Sequence, residues 1–533
     1  MKRVFNSDKS LIAILCLIAL GVFFLTYGSM GNLYVDCGRE AYIPWQMLKG
    51  EVLYKDIFNI YAPGAYYINA LLFKIFSPHL HVLLSSAMFV YAGITVLLYL
   101  IARFFLSRQN SFVVSICILL TTSLSGNVFN FYYPYSYAVI YGLLAALSSL
   151  YFLIRRKSDN DYYLAAFFAG VAVINKYEFI PFVLPLFYFI ITQTKSVKKF
   201  FYATVFFCIV PIAVLFLLLW QGLTFWDITK EVLIIKEILS SECFKYFYSI
   251  SGIKFSLVHI PLLLGTLAVF LFSVFVGLRL KNKFLKYTLI IFVCVLLKHF
   301  YMFKLFVFVP FLIMFLFIAR YRKLSFSAKI LGYSYFAIAL KVLSSLMLFS
   351  YGMYFLGLSL VVLLVLLPIK YRKICLQVLF ILSLLMFKFG AETIENKVYP
   401  ITTPNGIVYS MEILQKPFVE VYDYLAKNTT PSDKILAFPE MPLLNFLLKR
   451  DNDNYLYSLI PMYIEVFGEE HIIGRIEETN AEYIVINNFD MSSYGFRIFG
   501  EDYAFGIMDY INQNYNKVFE TKSGLKHVIY RRK

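Results

Sequence analysis

The sequence predicts a polytopic α-helical membrane protein of about thirteen transmembrane helices, followed by a small C-terminal α/β domain. Its composition, the spacing of its apolar runs and the placement of its basic residues carry that prediction. Of the 533 residues, 60% are hydrophobic and only 15% are charged, and the mean hydropathy is +0.71. A soluble domain is about 45–50% apolar and about 25% charged, so the surplus apolar surface needs lipid against it. The aromatic content agrees, because the 56 Phe suit hydrocarbon and the 43 Tyr suit the headgroup level.

A span takes about 20 apolar residues, within a range of about 17–25. Candidate runs lie near residues 11–28, 80–102, 112–126, 135–154, 162–175, 179–194, 200–220, 257–278, 287–299, 305–319, 327–349, 354–369 and 374–390. The short ones before Lys176 and His299 read equally as halves of re-entrant pairs. The basic start and the run from Leu11 to Tyr27 resemble a signal peptide. No small-x-small cleavage site follows, so the run reads as an uncleaved first span.

The formal charge of +17 suits either nucleic acid or the cytoplasmic loops of a membrane protein, and these place the charges differently. Basic clusters fall at Lys2/Arg3/Lys9, Arg103/Arg108, Arg155/Arg156/Lys157, Lys195/Lys198/Lys199, Arg279/Lys281/Lys283/Lys286, Arg320/Arg322/Lys323 and Lys370/Arg372/Lys373. If every candidate run crosses, all of these lie on one side. The expected topology is therefore a cytoplasmic N-terminus in the cell membrane, and nucleic acid is not needed as a partner. An odd number of spans places both large soluble segments, the loop at 28–79 and the tail, on the opposite, extracytoplasmic side. The transmembrane domain is expected over 1–392 and the extracytoplasmic α/β domain over 393–533. That tail alternates amphipathic helical text (Phe418 to Asn428, Ala504 to Asn514) with β-rich runs at Lys434–Phe438, Tyr483–Ile486 and Lys526–Tyr530. Cys37 and Cys243 fall in expected loops and are the one pair placed to form a disulfide. No CxxC or Cys/His spacing supports a metal.

In the first outer loop, Pro44 suits a first helical turn and Gly50 a stop, so a short interfacial helix is expected near 44–49. Pro63 starts a second, to about Phe76. Asp36, Arg39 and Glu40 stand at i, i+3 and i+4, which puts all three on one face if the stretch is helical. They read as a salt bridge at a helix start. Their position directly after the first span also suits a site where a carboxylate meets a lipid headgroup and a water-soluble partner.

The series Asp36-x-x-Arg39-Glu40, then Gly50-x-x-Leu53-Tyr54-x-Asp56 and Tyr61-x-Pro63-Gly64, resembles the first outer loop of the GT-C glycosyltransferases. The nearest pattern is that of the protein O-mannosyltransferase and lipid A aminoarabinose transferase branch. Ala169-Gly-Val-Ala-Val-Ile-Asn-Lys176 resembles a second segment of that branch, and Lys298-His-Phe-Tyr301 with Pro310 a third. The resemblance implies a GT-C type fold and a membrane glycosyltransferase that moves a sugar from a polyprenyl-phosphate donor to an acceptor outside the membrane, by inversion. It implies Asp36 as general base, with Glu40 as a second acid that orients Arg39 or binds sugar hydroxyls. Arg39, Lys176 and Lys298 are the implied phosphate ligands. Tyr54, Asp56, Tyr61 and His299 are candidate substrate contacts. The acceptor class (glycan, lipid or protein) stays open.

Each of these residues also has a structural reading. Lys176 suits a snorkelling anchor or a partner for Glu178, although a lysine between two short spans on the outer side is also a functional candidate. The tyrosines suit an interfacial belt, Asp56 a turn, and His299 a hydrogen-bonded interfacial residue. The loop lacks Asp-x-Asp and the tail lacks a WWD tract, a departure from the metal-dependent oligosaccharyltransferases. A divalent metal is therefore unsupported by spacing, and no cofactor is expected. The replacement of the third motif's Arg by Lys298 puts that phosphate contact in doubt. The rival functions are a lipid or glycan flippase, which needs repeated halves and mid-span ionisable residues, and a non-catalytic relative that binds carrier lipid.

Overall fold

A computed structural model describes residues 7–34, 36–124, 128–251, 308–341, 351–522 and 524–533, with 279, 282, 285 and 288 as isolated positions. The expected spans at 257–278 and 287–299, and with them Lys298 and His299, lie outside the described residues. The helices of the first half are α1 (Asp8–Leu25), α2 (Cys37–Lys49), α3 (Gly64–Phe76), α4 (Leu80–Arg103), α5 (Arg108–Thr122), α6 (Tyr137–Arg155), α7 (Asp159–Asn175), α8 (Ile180–Thr194), α9 (Val197–Trp220), α10 (Phe225–Ser240) and α11 (Glu242–Ser251). They are followed by α12 (Phe308–Arg320), α13 (Phe326–Ile338), α14 (Met353–Leu366) and α15 (Ile369–Glu395). A 3-10 turn, Tyr177–Phe179, joins α7 to α8. Among the described residues, six helices are long and apolar enough to cross a membrane, counting the turn with α8.

Lipid is the environment the surface requires. The helix α9 has a mean hydropathy of 2.7 yet is only 11% buried, and Phe201, Ile212, Phe216 and Trp220 are 61–79% exposed on it. In water that face would aggregate; in a bilayer it is solvated. Inward, α6 packs along α7 and α7 along α9. At Gly170 of α7 an added Cβ would stand 2.1 Å from the Phe207 carbonyl of α9, so the two backbones meet directly, as small residues allow between membrane helices.

Among the described residues, several of the basic clusters tie neighbouring helices together. Asp8 at the start of α1 accepts Tyr99 Oη at 2.5 Å and Arg103 Nε and Arg108 Nε at 3.1 Å each, which ties α1, α4 and α5 together. Arg155 pairs with Asp161, Lys199 with Asp159 at 2.9 Å, and Arg156 reaches Ser327 at 3.3 Å.

The first loop differs from expectation. Its helix begins at Cys37, with Asp36 as N-cap, and Pro44 lies inside it. Starting about two turns early puts Arg39 and Glu40 on the helix, where buried partners reward them, and Gly50 (φ 107°) ends it. The second helix, α3, starts after Pro63 and stops at Phe76, as its text implies. Cys37 and Cys243 are both free thiols.

The tail comprises a hairpin, β1 (Tyr399–Thr403) and β2 (Gly406–Ser410), then α16 (Glu412–Asn428), β3 (Ile435–Phe438), α17 (Pro442–Leu448), α18 (Pro461–Phe467), α19 (Glu469–Thr479), β4 (Tyr483–Asn487), α20 (Phe505–Asn514), β5 (Tyr515–Glu520) and β6 (His527–Arg532). The main sheet has the order β3-β4-β6-β5. β3 and β4 are parallel and wholly buried, whereas β6 is antiparallel to both β4 and β5. A parallel pair needs a crossover, and α17 to α19 supply it.

This domain is seated on the first loop. Tyr42 Oη donates to Asn452 Oδ1 at 2.7 Å, Gln46 Nε2 to Asp451 at 2.9 Å, and the Phe58 amide to the Tyr455 carbonyl at 2.9 Å. Gly38 of α2 is the closest approach: a Cβ there would lie 2.5 Å from the Leu443 amide nitrogen of α17. Gly38→Val is therefore expected to lift the domain from the loop, costing about 1–3 kcal/mol as overpacking does. A lowered thermal midpoint, with cleavage by protease near 396–411, is the expected readout; an unchanged melt and unchanged protection would contradict this docking.

Candidate active site

The site is built around the guanidinium of Arg39, in the first turn of α2. The side chain is only 4% exposed, and its charge is met on every side. Nη1 donates to Asp36 Oδ1 at 2.8 Å and to Tyr61 Oη at 3.4 Å. Nη2 donates to the Tyr135 carbonyl at 2.9 Å, and both Nε and Nη2 reach Glu40 Oε1 at 3.3 Å. The guanidinium carbon also lies 4.4 Å from the centre of the Tyr61 ring. Burial alone works against its charge, but Tyr61, Tyr66, Asp36 and Glu40 outweigh it and hold Arg39 well above its ordinary value.

Glu40 is fully buried. Its second oxygen accepts the backbone N–H of Tyr137 at 2.8 Å, in the first turn of α6. A carboxylate at a helix N-terminus is a favourable arrangement. Glu40 therefore fastens the loop helix to the bundle and keeps Arg39 in place. Burial raises its carboxyl above the usual range against the pull of Arg39 and the Tyr137 amide.

Asp36 is the open member of the group, with 22% of its side chain exposed. One oxygen takes Arg39; the other has no hydrogen-bond partner among the described residues. Its backbone is left-handed, with φ 56° and ψ −55°, a conformation that costs a non-glycine residue about 1–3 kcal/mol. The surrounding contacts hold it there.

Lys176 ends α7 and turns into the same region. It is 6% exposed, its Nζ donates to Tyr135 Oη at 2.9 Å, and it faces the rings of Tyr135, Tyr351 and Tyr61 at 5.1, 5.2 and 5.6 Å. Tyr61 thus has both Arg39 and Lys176 close to its ring. Glu178, the expected partner of Lys176, is near enough for the two charges to favour each other, and its carboxylate accepts Lys341 Nζ at 2.8 Å and Tyr351 Oη. Tyr351 in turn sits between Lys176 and Lys341, the latter 5.3 Å from its ring.

The other described candidates, Tyr54 and Asp56, make hydrogen bonds within the loop. Tyr54 turns its hydroxyl onto the Tyr61 carbonyl at 2.6 Å, and Asp56 accepts the Val52 amide at 2.8 Å within its own turn. Among the described residues there is no group of three or more His, Cys, Asp or Glu placed to hold a metal ion.

Two charged residues of this cluster were not singled out from the sequence. Lys341 is one of two cations, with Lys329, within the expected span at 327–349. Glu440 carried no such signal. It comes from the C-terminal domain, is 8% exposed, and accepts the Asp36 backbone N–H on Oε1 at 3.4 Å. Burial first, and then the neighbouring Asp36 charge, push its carboxyl above the ordinary range; Arg39 and the Asp36 amide offset this only in part.

A folded-state acid raised in this way keeps a proton that the unfolded chain has released, so its contribution to stability falls as pH rises. Between the ordinary carboxylate range and mildly alkaline pH, the melting temperature is expected to fall less steeply in Glu440→Gln than in the unmodified protein. Parallel slopes in thermal melts of the two proteins would contradict a buried, proton-holding Glu440.

Comparisons with known proteins agree with this architecture. The sequence model of the family described as dolichyl-phosphate-mannose-protein mannosyltransferase matches residues 61–220, a stretch that contains Tyr61 and Lys176 but not Asp36. Among curated proteins, none matches the chain. Among solved structures, ArnT from Cupriavidus metallidurans bound to undecaprenyl phosphate is similar over 98% of both chains, with a TM-score of 0.57 and 11% identity. The oligosaccharyltransferase of Archaeoglobus fulgidus in complex with Zn and sulfate is similar over 98% of this chain and 73% of that one, at TM-score 0.53 and 11% identity. Archaeal AglB from the same organism, in complex with an inhibitory peptide and a dolichol-phosphate, has a TM-score of 0.50 over 90% of this chain and 69% of that one, again at 11% identity. The chain thus has the fold of the GT-C glycosyltransferases along nearly its whole length and resembles the mannosyltransferase family over residues 61–220.

Proposed function

We propose that this protein is a glycosyltransferase that moves a sugar from a polyprenyl-phosphate carrier to an acceptor hydroxyl at the outer membrane surface, with inversion. The observation that carries the reading is that Tyr61 brings an open carboxylate and a buried cation into one cluster: its ring lies 4.4 Å from Arg39, which holds Asp36, and 5.6 Å from Lys176. Neighbours of the same fold bind undecaprenyl phosphate and dolichol-phosphate, and the carrier here is taken to be of that chemical class. On this reading the end of the bundle that carries α2 and the tail domain faces outward, and the basic clusters face the cytoplasm.

Transfer needs one bond made and one broken at the anomeric carbon. The acceptor oxygen attacks from the face opposite the phosphate, its proton passes to the free oxygen of Asp36, and the carbon–oxygen bond to the phosphate breaks with the electron pair leaving on phosphate. A positioned base contributes about 10²–10⁴-fold. The negative charge that grows on the leaving phosphate is stabilised by the ammonium of Lys176, with Lys341 one tyrosine ring away. All five N–H groups of Arg39 are already taken by protein acceptors. We therefore assign it the positioning of Asp36, with Glu40 behind it, in place of direct phosphate binding. Glu440, kept neutral, spares Asp36 a second negative neighbour and leaves it free to act as a base.

In an assay with purified components, Asp36→Asn is expected to lower transfer by at least about 100-fold with carrier binding retained, and Lys176→Ala to weaken carrier binding. Full transfer by the Asp36 variant would contradict the assignment of the base. Transfer lost together with fold would be recognised by a lowered melt, and Asp36→Glu would then serve as the second variant.

A further inference from the structure

A cavity opens between α11 and the C-terminal domain. Its volume is about 670 Å³. One wall is α11; the other is built from α18, the turn at 494–496 and the start of α20. The two walls are fastened together, because Glu465 of α18 accepts the backbone amides of Glu242 and Cys243 at 2.8 and 3.0 Å, and Phe247 stacks on Tyr494 at 5.2 Å.

The lining has a distinct chemistry. Tyr246, Tyr494, Phe496, Tyr503 and Phe505 face the cavity, and Tyr246 and Phe505 stand 46% and 54% exposed at its rim. Aromatic rings of this size left in water cost hydrophobic free energy unless something flat and partly apolar covers them. Tyr503 adds a polar observation: it is 6% exposed, and its hydroxyl has no hydrogen-bond partner among the described residues. A buried hydroxyl left unpaired costs about 1–3 kcal/mol, which a ligand hydroxyl would recover.

Charge narrows the ligand further. Glu242, Glu465, Glu469 and Asp502 line the cavity, and among the described residues no lysine or arginine does; Lys245 pairs with Glu242. Glu465, Glu469 and Asp502 each accept backbone amides, yet a carboxylate has about four acceptor positions, so capacity for ligand hydroxyls remains. A phosphorylated or sulfated chain would meet these carboxylates without a compensating cation. An uncharged sugar fits both features, with its C–H face on the rings and its hydroxyls on the carboxylates and Tyr503. The cavity lies near the candidate site, because the charges of Glu440 and Asp36 act on Tyr494 and that of Glu440 acts on Tyr503.

We propose that this cavity is the acceptor subsite and that the acceptor it takes is an uncharged glycan; the acceptor role rests on the transfer reaction proposed above, and the glycan preference on the cavity itself. The test is direct binding to the full-length protein in detergent, without donor, using neutral manno- and gluco-oligosaccharides and dextran sulfate as probes. Saturable binding of a neutral oligosaccharide is expected, weakened at least about tenfold by Tyr246→Ala or Phe505→Ala, both exposed positions, and more mildly by Tyr503→Phe. Absence of binding, binding unchanged in all three variants, or preference for dextran sulfate would overturn it. Titration of the same preparation with undecaprenyl phosphate separates the two readings. Carrier binding without glycan binding overturns the subsite alone, whereas glycan binding without carrier binding overturns the transferase reading and leaves a glycan-binding cavity.

Discussion

The structure depends on one buried cation. Arg39 is covered on all sides, and each of its donors is spent on a different part of the chain: Asp36 and Glu40 on the loop helix, Tyr61 before α3, and the Tyr135 carbonyl before α6. A guanidinium taken from water is stable only when its charge is matched and its hydrogen bonds are made. Here those partners are the elements that must be held together for a site to exist. The strained backbone at Asp36 and the second bond from Glu40 to α6 follow from the same requirement. Without Glu40, Arg39 would be left with an unmatched donor pair, and α2 would lose its attachment to the bundle.

The second constraint is that the site has two owners. The bundle and first loop contribute Asp36, Arg39 and Lys176, whereas Glu440 arrives from the soluble domain across an interface closed by Gly38 against Leu443. The tail therefore contributes a buried carboxylate to the candidate site. Its sheet, with buried parallel strands β3 and β4, fixes the end of β3 from which Glu440 projects toward Asp36.

Much of this was legible in the sequence, for definite reasons. Apolar runs and basic punctuation mark helices because lipid leaves few alternatives, and the i, i+3, i+4 face of Asp36, Arg39 and Glu40 is present in the helix that forms. The start of that helix was misplaced because Pro44 favours a first turn locally, whereas the buried acceptors for Arg39 and Glu40 are a tertiary property. Lys176 was legible as a cation at an unusual depth, but its tyrosine cage was not, since Tyr61, Tyr135 and Tyr351 come from three separated stretches. Glu440 was illegible for the same reason: nothing near it in sequence tells of a carboxylate 404 positions upstream. Lys298 and His299 lie outside the described residues, so the third motif keeps only its sequence-level expectation.

The central claim is that the carrier phosphate rests on Lys176 while the sugar faces Asp36. The most direct measurement is an experimental structure with a non-transferable polyprenyl-phosphonate sugar bound. The account predicts phosphonate oxygens within hydrogen-bond distance of Lys176 Nζ, with the anomeric carbon turned toward the free oxygen of Asp36. A phosphonate seated elsewhere, or a sugar turned away from Asp36 with the phosphonate correctly bound, would contradict it.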